Sequence, residues 1–166
     1  TLDKMLVIGV LGVARYNIGM VGGSDSGLVE LDNFVCTLKK DFSQYKFFNG
    51  KRFTFRPPRT IILGPAEDFL EMPEKYKLSV LHELGHAISE HKFYATDPER
   101  LKMEREAWEK AKGLCSRYGV VYDAEYAEEE LDTYREWLHQ KSKCPECGLT
   151  RYQTKDGQYH CPGCEG

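Results

Sequence analysis

His82-Glu83-Leu84-Gly85-His86 places two imidazoles four residues apart, with a carboxylate beside the first. On an α-helix of about 3.6 residues per turn, positions i and i+4 stack on one face, so both rings can reach one metal ion from the same side. Glu83 projects about 100° round the helix, close enough to touch a water on the metal without becoming a ligand. A zinc ion so held would lower the pKa of that water towards about 7, and Glu83 would be the general base that takes its proton as it adds to a carbonyl. A chance HExxH on an ordinary amphipathic helix is the plain alternative, and the neighbouring residues have to choose.

The elements that must position these side chains are two helices. The first is expected from Pro73-Glu74, where proline suits a first turn and acid suits the positive end of the helix dipole, to about His91. Leu81, Leu84, Gly85 and Ile88 give it an apolar sector beside the histidines. Gly85 costs about 1 kcal/mol of helix propensity relative to alanine, which suggests that another backbone passes close by. The second helix is expected to open at Asp97-Pro98, with Asp97 as cap and Pro98 at the first helical position. Projection at 100° per residue puts Leu101, Trp108, Ala111 and Cys115 on one face with Glu104 in its middle. Glu99, Lys102, Glu106, Glu109 and Lys110 fall on the solvated side. A carboxylate aimed at a core is costly unless it is paired or binds a metal. Glu104 is therefore the expected third ligand, completing a His2Glu site whose fourth position stays open for water. An ion pair of Glu104 with Arg or Lys is the alternative, and Glu106 is the fallback ligand.

HELGH followed by Glu104-Arg105-Glu106-Ala107 resembles the gluzincin metallopeptidases, and the short gap between the motifs resembles the ImmA/IrrE type within them. The resemblance spans roughly residues 50 to 118. It implies a small zincin-like domain with His82, His86 and Glu104 as zinc ligands and Glu83 as general base. It also implies an intracellular or phage-borne protease acting on a protein substrate, with transcriptional repressors among the targets. Trp108 stands where relatives often carry Asp or Asn, which removes an expected partner for orienting a histidine.

The C-terminus carries a second metal signature. Cys144-Pro145-Glu146-Cys147-Gly148 and Cys161-Pro162-Gly163-Cys164 are two CxxC knuckles separated by thirteen residues. Knuckle turns aim backbone N–H groups at thiolate sulfur, and four thiolates make a closed tetrahedral site. Between them, Arg151 to Thr154, Lys155-Asp156-Gly157 and Gln158 to His160 read as strand, turn and strand. The pattern is that of a zinc ribbon, with a structural zinc that stabilises a segment of about 25 residues too small to bury a core of its own. Two disulfides are the alternative. A ribbon behind HExxH also resembles the SprT-like proteases, which act on DNA-associated proteins. Those use a third histidine from a downstream His-Gly segment that has no counterpart here: His91 is expected on the first helix facing away from the metal, and His139 and His160 lie far beyond.

At 166 residues, with 41% hydrophobic residues and a formal charge of −3, the chain fits one small catalytic domain (1–140) and a ribbon (141–166). The charge gives no reason to expect nucleic-acid binding over the whole surface; a protein or DNA contact through the ribbon stays open. Four of the six cysteines are assigned to zinc, and Cys36 and Cys115 read as small core residues. That usage points to a reducing, cytoplasmic setting. The apolar run from Met5 to Val13 is too short to span a bilayer, so no membrane partner is expected.

Along the chain, Leu2 to Arg15 is a helix or buried strand, Gly19 to Gly27 a flexible loop, and Leu28 to Phe42 a helix. Phe47 to Phe55 reads as a hairpin around Asn49-Gly50. Arg59 to Leu63 is a further strand, placed by resemblance at the edge where zinc peptidases pair with extended substrate. Ala124 to Gln140 is a helix packing through Ala127, Leu131, Tyr134 and Leu138, with Glu128, Glu129, Glu130 and Asp132 on its solvated side. Tyr94, Tyr118, Tyr122 and His139 are candidates for stabilising an oxyanion, with nothing to select one. The fold class expected is α+β. The function expected is a zinc-dependent endopeptidase with one catalytic and one structural Zn²⁺; the competing reading is a zinc-stabilised adaptor without turnover.

Overall fold

The structure is a computed structural model that describes residues 24–164; the expectation for Leu2 to Arg15 lies outside them. Five helices and two small sheets follow in the order α1 (Ser24–Asp41), β1 (Lys46–Asn49), β2 (Thr54–Arg56), β3 (Thr60–Leu63), α2 (Ala66–Glu71), α3 (Pro73–Ile88), α4 (Asp97–Tyr118), α5 (Ala124–Ser142), β4 (Tyr152–Gln153) and β5 (Tyr159–His160). The α+β class expected from the sequence is the class observed. Helix α1 begins inside the glycine-rich stretch read as loop, and α2 was not foreseen.

Helix α3 is the axis of the fold. Every residue from Leu78 to Ala87 is buried, as for a helix surrounded on all sides. The sheet covers it with Phe55, Ile61 and Leu63; α1 adds Leu31, Phe34, Val35 and Leu38; α4 adds Trp108, Ala111 and Cys115; α5 adds Tyr126, Ala127 and Leu131. It ends at Ile88, three residues before the expected limit, and Glu90 then turns the chain back with φ 54°.

The first sheet corrects two expectations. Its order is β1-β3-β2, with β1 parallel to β3 and β2 antiparallel to it. The segments either side of Asn49-Gly50 therefore do not pair with each other. The hairpin is β2–β3, closed through Pro57-Pro58 and registered Thr54↔Ile62 and Arg56↔Thr60. Gly50 serves packing: a Cβ there would collide with the Ile62 side chain. The strand ahead of the HExxH helix, β3, is central and has no free edge.

Helix α4 is fastened at its start. Its cap is Thr96, one residue earlier than expected, and the Glu99 carboxylate reaches back to the N–H groups of Ala95 (2.7 Å) and Thr96 (3.1 Å), the acidic half of a capping box. Asp97, buried, receives the C-terminal segment instead: its Oδ2 accepts from the Tyr159 hydroxyl at 2.8 Å and pairs with Lys141 Nζ at 2.8 Å, while its N–H donates to Gln153 Oε1 at 2.7 Å.

The close approach expected at Gly85 is present. A Cβ on Gly85 would fall on the Ala107 carbonyl oxygen, with the Ala107 carbonyl carbon and Cα both at 3.1 Å. Backbone, unlike a flexible side chain, cannot swing aside, so α3 and α4 would have to separate. Gly85→Ala is expected to destabilise the protein by about 1–3 kcal/mol through overpacking, read by chemical denaturation, despite alanine's better helix propensity.

Candidate metal centres

The geometry brings His82, His86 and Glu104 together. His82 Nε2 and His86 Nε2 are 3.0 Å apart, and Glu104 Oε2 lies 3.2 Å from the first and 3.3 Å from the second. Tetrahedral zinc with bonds of about 2.05 Å would space its donors about 3.3 Å apart, so these three atoms match one face of such a coordination shell. The helical phase accounts for it: α3 stacks the two rings, and the Gly85–Ala107 contact brings α4 close enough for Glu104, one turn before Ala107, to reach both. All three are essentially sealed from solvent. His82 Nδ1 and Glu104 Oε1 have no hydrogen-bond partner, the sort of buried polar deficit that calls for a further group.

Electrostatics separate the two glutamates. Burial pushes the Glu104 carboxyl up, but the His82 and His86 imidazoles facing it outweigh burial and hold it at about 2, ionised. Burial brings His86 down to about 4, keeping the imidazole neutral as a ligand must be. Glu83 goes the other way. Burial and then the Glu104 charge raise its pKa well above the usual range, against the pull of the Phe55 N–H, which donates to Glu83 Oε2 at 2.5 Å. Glu83 is not a member of the donor triad and its Oε1 is unpartnered.

Residues that periodicity did not assign to the site complete it. Trp108 packs its ring against His82 at a tilt of 39°, with ring centroids 4.1 Å apart. His91, expected to face away, is folded back by the turn at Glu90, so that its Nδ1 meets His86 Nδ1 at 2.8 Å and its Nε2 meets Glu106 Oε2 at 3.2 Å. Glu106, the fallback ligand, therefore serves His91 and stands outside the triad; it is also not wholly solvated. Helix α5 roofs the centre. Tyr134, placed in its packing face from the sequence, has its hydroxyl pKa pushed far up by burial and by the Glu104 charge. Arg100 of α4 stacks its guanidinium 5.1 Å from the Tyr134 ring and 5.0 Å from that of Trp137. Of the four candidate oxyanion donors, Tyr118 is engaged elsewhere, donating to Asp41 Oδ2 at 2.9 Å.

Glu130 was expected to be solvated and is buried instead, one turn from both Tyr126 and Tyr134 on the inward side of α5. Cys36, expected in the core, is exposed, whereas Cys115 is buried as expected.

The second cluster is the four cysteines. All are free thiols: Cys144 and Cys164 sulfurs are 3.8 Å apart and those of Cys147 and Cys161 3.4 Å, far beyond the 2.05 Å of a disulfide. Zinc–sulfur bonds of about 2.3 Å would space the sulfurs about 3.8 Å apart. Backbone N–H groups of Cys147 and Glu146 hold the Cys144 thiol down at about 6, the effect expected of a knuckle. Strands β4 and β5 pair antiparallel between the knuckles, with Gly157 at φ 81° in their turn. The cluster is compatible with a zinc ribbon.

Comparison with known proteins identifies no relative: no family model, curated protein or solved structure matches the chain. Among the described residues, no helix is long and apolar enough to cross a membrane.

Burial, the Glu104 charge and the Glu129 charge raise the Glu130 carboxyl to about 7. An acid whose folded pKa lies above its unfolded value holds its proton longer in the native state. Its contribution is therefore complete below about 4.5 and is lost as pH rises through about 7. Glu130→Gln should consequently stabilise the protein at pH 8 by on the order of 1–3 kcal/mol and flatten the loss of stability between pH 4.5 and 7, measured by urea denaturation across that range.

Proposed function

We propose that the protein is a zinc-dependent endopeptidase, with His82, His86 and Glu104 as metal ligands and Glu83 as general base. The observation that carries the reading is the donor triangle of 3.0–3.3 Å with a carboxylate beside it, held by the Phe55 N–H, that is not one of its corners. Zinc there would act as a Lewis acid, polarising a substrate carbonyl and acidifying a water. The chain's own residues would do the rest. Glu104 and the two imidazoles would fix the ion, and Glu83, whose Oε1 has no hydrogen-bond partner, would accept a proton and return it to the leaving amine. The Phe55 N–H would hold Glu83 in place. A cavity of about 400 Å³ lined by Tyr45, Phe55, Arg59, Ala87, His91 and Lys92 lies on the far side of Phe55 and His91, which contact Glu83 and His86, and is large enough for part of a peptide.

The resemblance of HELGH and the Glu104 segment to ImmA/IrrE proteases extends the proposal to an intracellular protein substrate, a regulator or repressor. The cysteine cluster would hold a second, structural zinc and offer a contact to protein or DNA. A SprT-like protease acting on DNA-associated proteins is the nearest alternative within the same chemistry.

One observation favours a different class. None of His82, Glu83, His86 and Glu104 is more than 1% exposed, so no substrate bond reaches them unless Phe55, His91 or α5 moves. A zinc-stabilised adaptor that never opens would have this geometry too.

Two measurements separate the readings. Metal analysis of the full chain is expected to give about two zincs, with Glu104→Ala and Cys144→Ser each losing a different one. Glu83→Gln is expected to keep both zincs and lose at least about 100-fold in peptide-bond cleavage. Unchanged cleavage in Glu83→Gln would remove the general-base assignment, and two retained zincs with no cleavage by the wild type would favour the adaptor.

A further inference from the structure

Two histidines cannot meet through their Nδ1 atoms unless one carries the proton and the other does not. His86 and His91 do so at 2.8 Å, both buried. Only one arrangement leaves His86 able to bind a metal. The His86 Nε2 that faces His82 and Glu104 needs its lone pair, so His86 must carry its proton on Nδ1 and donate it to His91 Nδ1. His91 must then carry its own proton on Nε2, and that atom faces Glu106 Oε2 at 3.2 Å, an acceptor with no proton to give when ionised. The opposite arrangement puts a proton on His86 Nε2, in the space where the ion would sit. Glu106 selects against it from two bonds away.

The geometry points to His91 and Glu106 as positioning residues of the His82–His86–Glu104 centre: a His86–His91–Glu106 relay fixes the tautomer of His86 that presents its lone pair to the metal. The assignment rests on the metal-site reading above. It also accounts for a contrast between the two ligands. His82 Nδ1 has no hydrogen-bond partner, and the ring packed against it is that of Trp108, which has no acceptor to offer. His86 has its acceptor supplied from outside both helical motifs, by the residue that follows the turn at Glu90. The His91 N–H donates to the His86 carbonyl at 3.1 Å, so backbone and side chain of the same residue both clasp His86.

Reversing the relay tests it. Glu106 is half-exposed, with 45% of its side chain accessible, so substitution there need not disturb the core. In Glu106→Lys the terminal acceptor becomes a donor. His91 is then driven to accept on Nε2 and carry its proton on Nδ1, and His86 is driven to the tautomer that blocks the ion. Glu109→Lys makes the same charge change on the exposed face of α4 and controls for simple repulsion of a cation. His91→Leu removes the relay. His91→Gln keeps an acceptor for His86 and a donor for Glu106 in one amide.

The readout is zinc affinity at the Glu104-dependent site of the full chain, by chelator competition, with thermal unfolding of the metal-free protein recorded beside it. Glu106→Lys and His91→Leu are expected to weaken zinc by roughly 10–100-fold, while His91→Gln and Glu109→Lys stay within about 3-fold of wild type on the same scale. Equal losses in Glu106→Lys and Glu109→Lys, or no loss in His91→Leu, would overturn the relay and leave the metal site standing. A wild type with no Glu104-dependent zinc would overturn both.

Discussion

The contact between Gly85 and the backbone of Ala107 is the constraint on which the rest of the structure depends. A hydrogen atom in place of a side chain lets α3 and α4 approach until carbonyl meets Cα, closer than two helices bearing ordinary residues at the crossing. Only at that separation does Glu104 reach both His82 and His86. The His82–His86–Glu104 triad is thus set by the distance between two backbones and only secondarily by the rotamers of its members. A side chain can adapt by changing χ angles, but the helix axis that carries it has been placed by close packing.

The same closeness creates the electrostatic problem that the fold has to solve. Glu83, Glu104 and Glu130 are all buried around one centre, where unpaired charge is very costly. The three settle differently. Glu104 keeps its charge because two imidazoles face it; Glu83 and Glu130 are pushed towards the protonated form because burial and the Glu104 charge both act on them. One ionised carboxylate therefore adds to what burial already does to the other two. Environments that push neighbouring carboxyl groups apart in pKa are how a site obtains an acid and a base from one residue type.

What the sequence revealed and what it hid follow from the range of each signal. His82, His86, Glu104 and the meaning of Gly85 were legible because each depends only on the phase of a single helix. Cys144, Cys147, Cys161 and Cys164 were legible because knuckle spacing is local. The β1–β2 hairpin was misread since Asn49-Gly50 is a local turn signal, whereas the parallel pairing of β1 with β3 joins segments that β2 separates along the chain, setting half-buried Phe47 beside buried Ile61. Glu130 was assigned to solvent with the acidic run around it, although its spacing from Tyr126 and Tyr134 carried the inward phase. His91 could not be placed by phase at all. It lies past the end of α3, and the left-handed residue that returns it to His86 is Glu90, a residue type that gives no hint of such a turn.

Asp97 sits where α4 begins, and Glu104 lies seven residues on, about 10 Å along the same rigid rod. The side chains that close over Asp97 come from the end of α5 and from the two strands between the cysteine knuckles. Those strands are two residues each, too short to persist without whatever gathers the four sulfurs. Asp97 thereby ties the cysteine-bearing segment to the first turn of the helix that carries Glu104. The two clusters therefore hang from one helix, the cysteines tied to its first turn and Glu104 about two turns further along it.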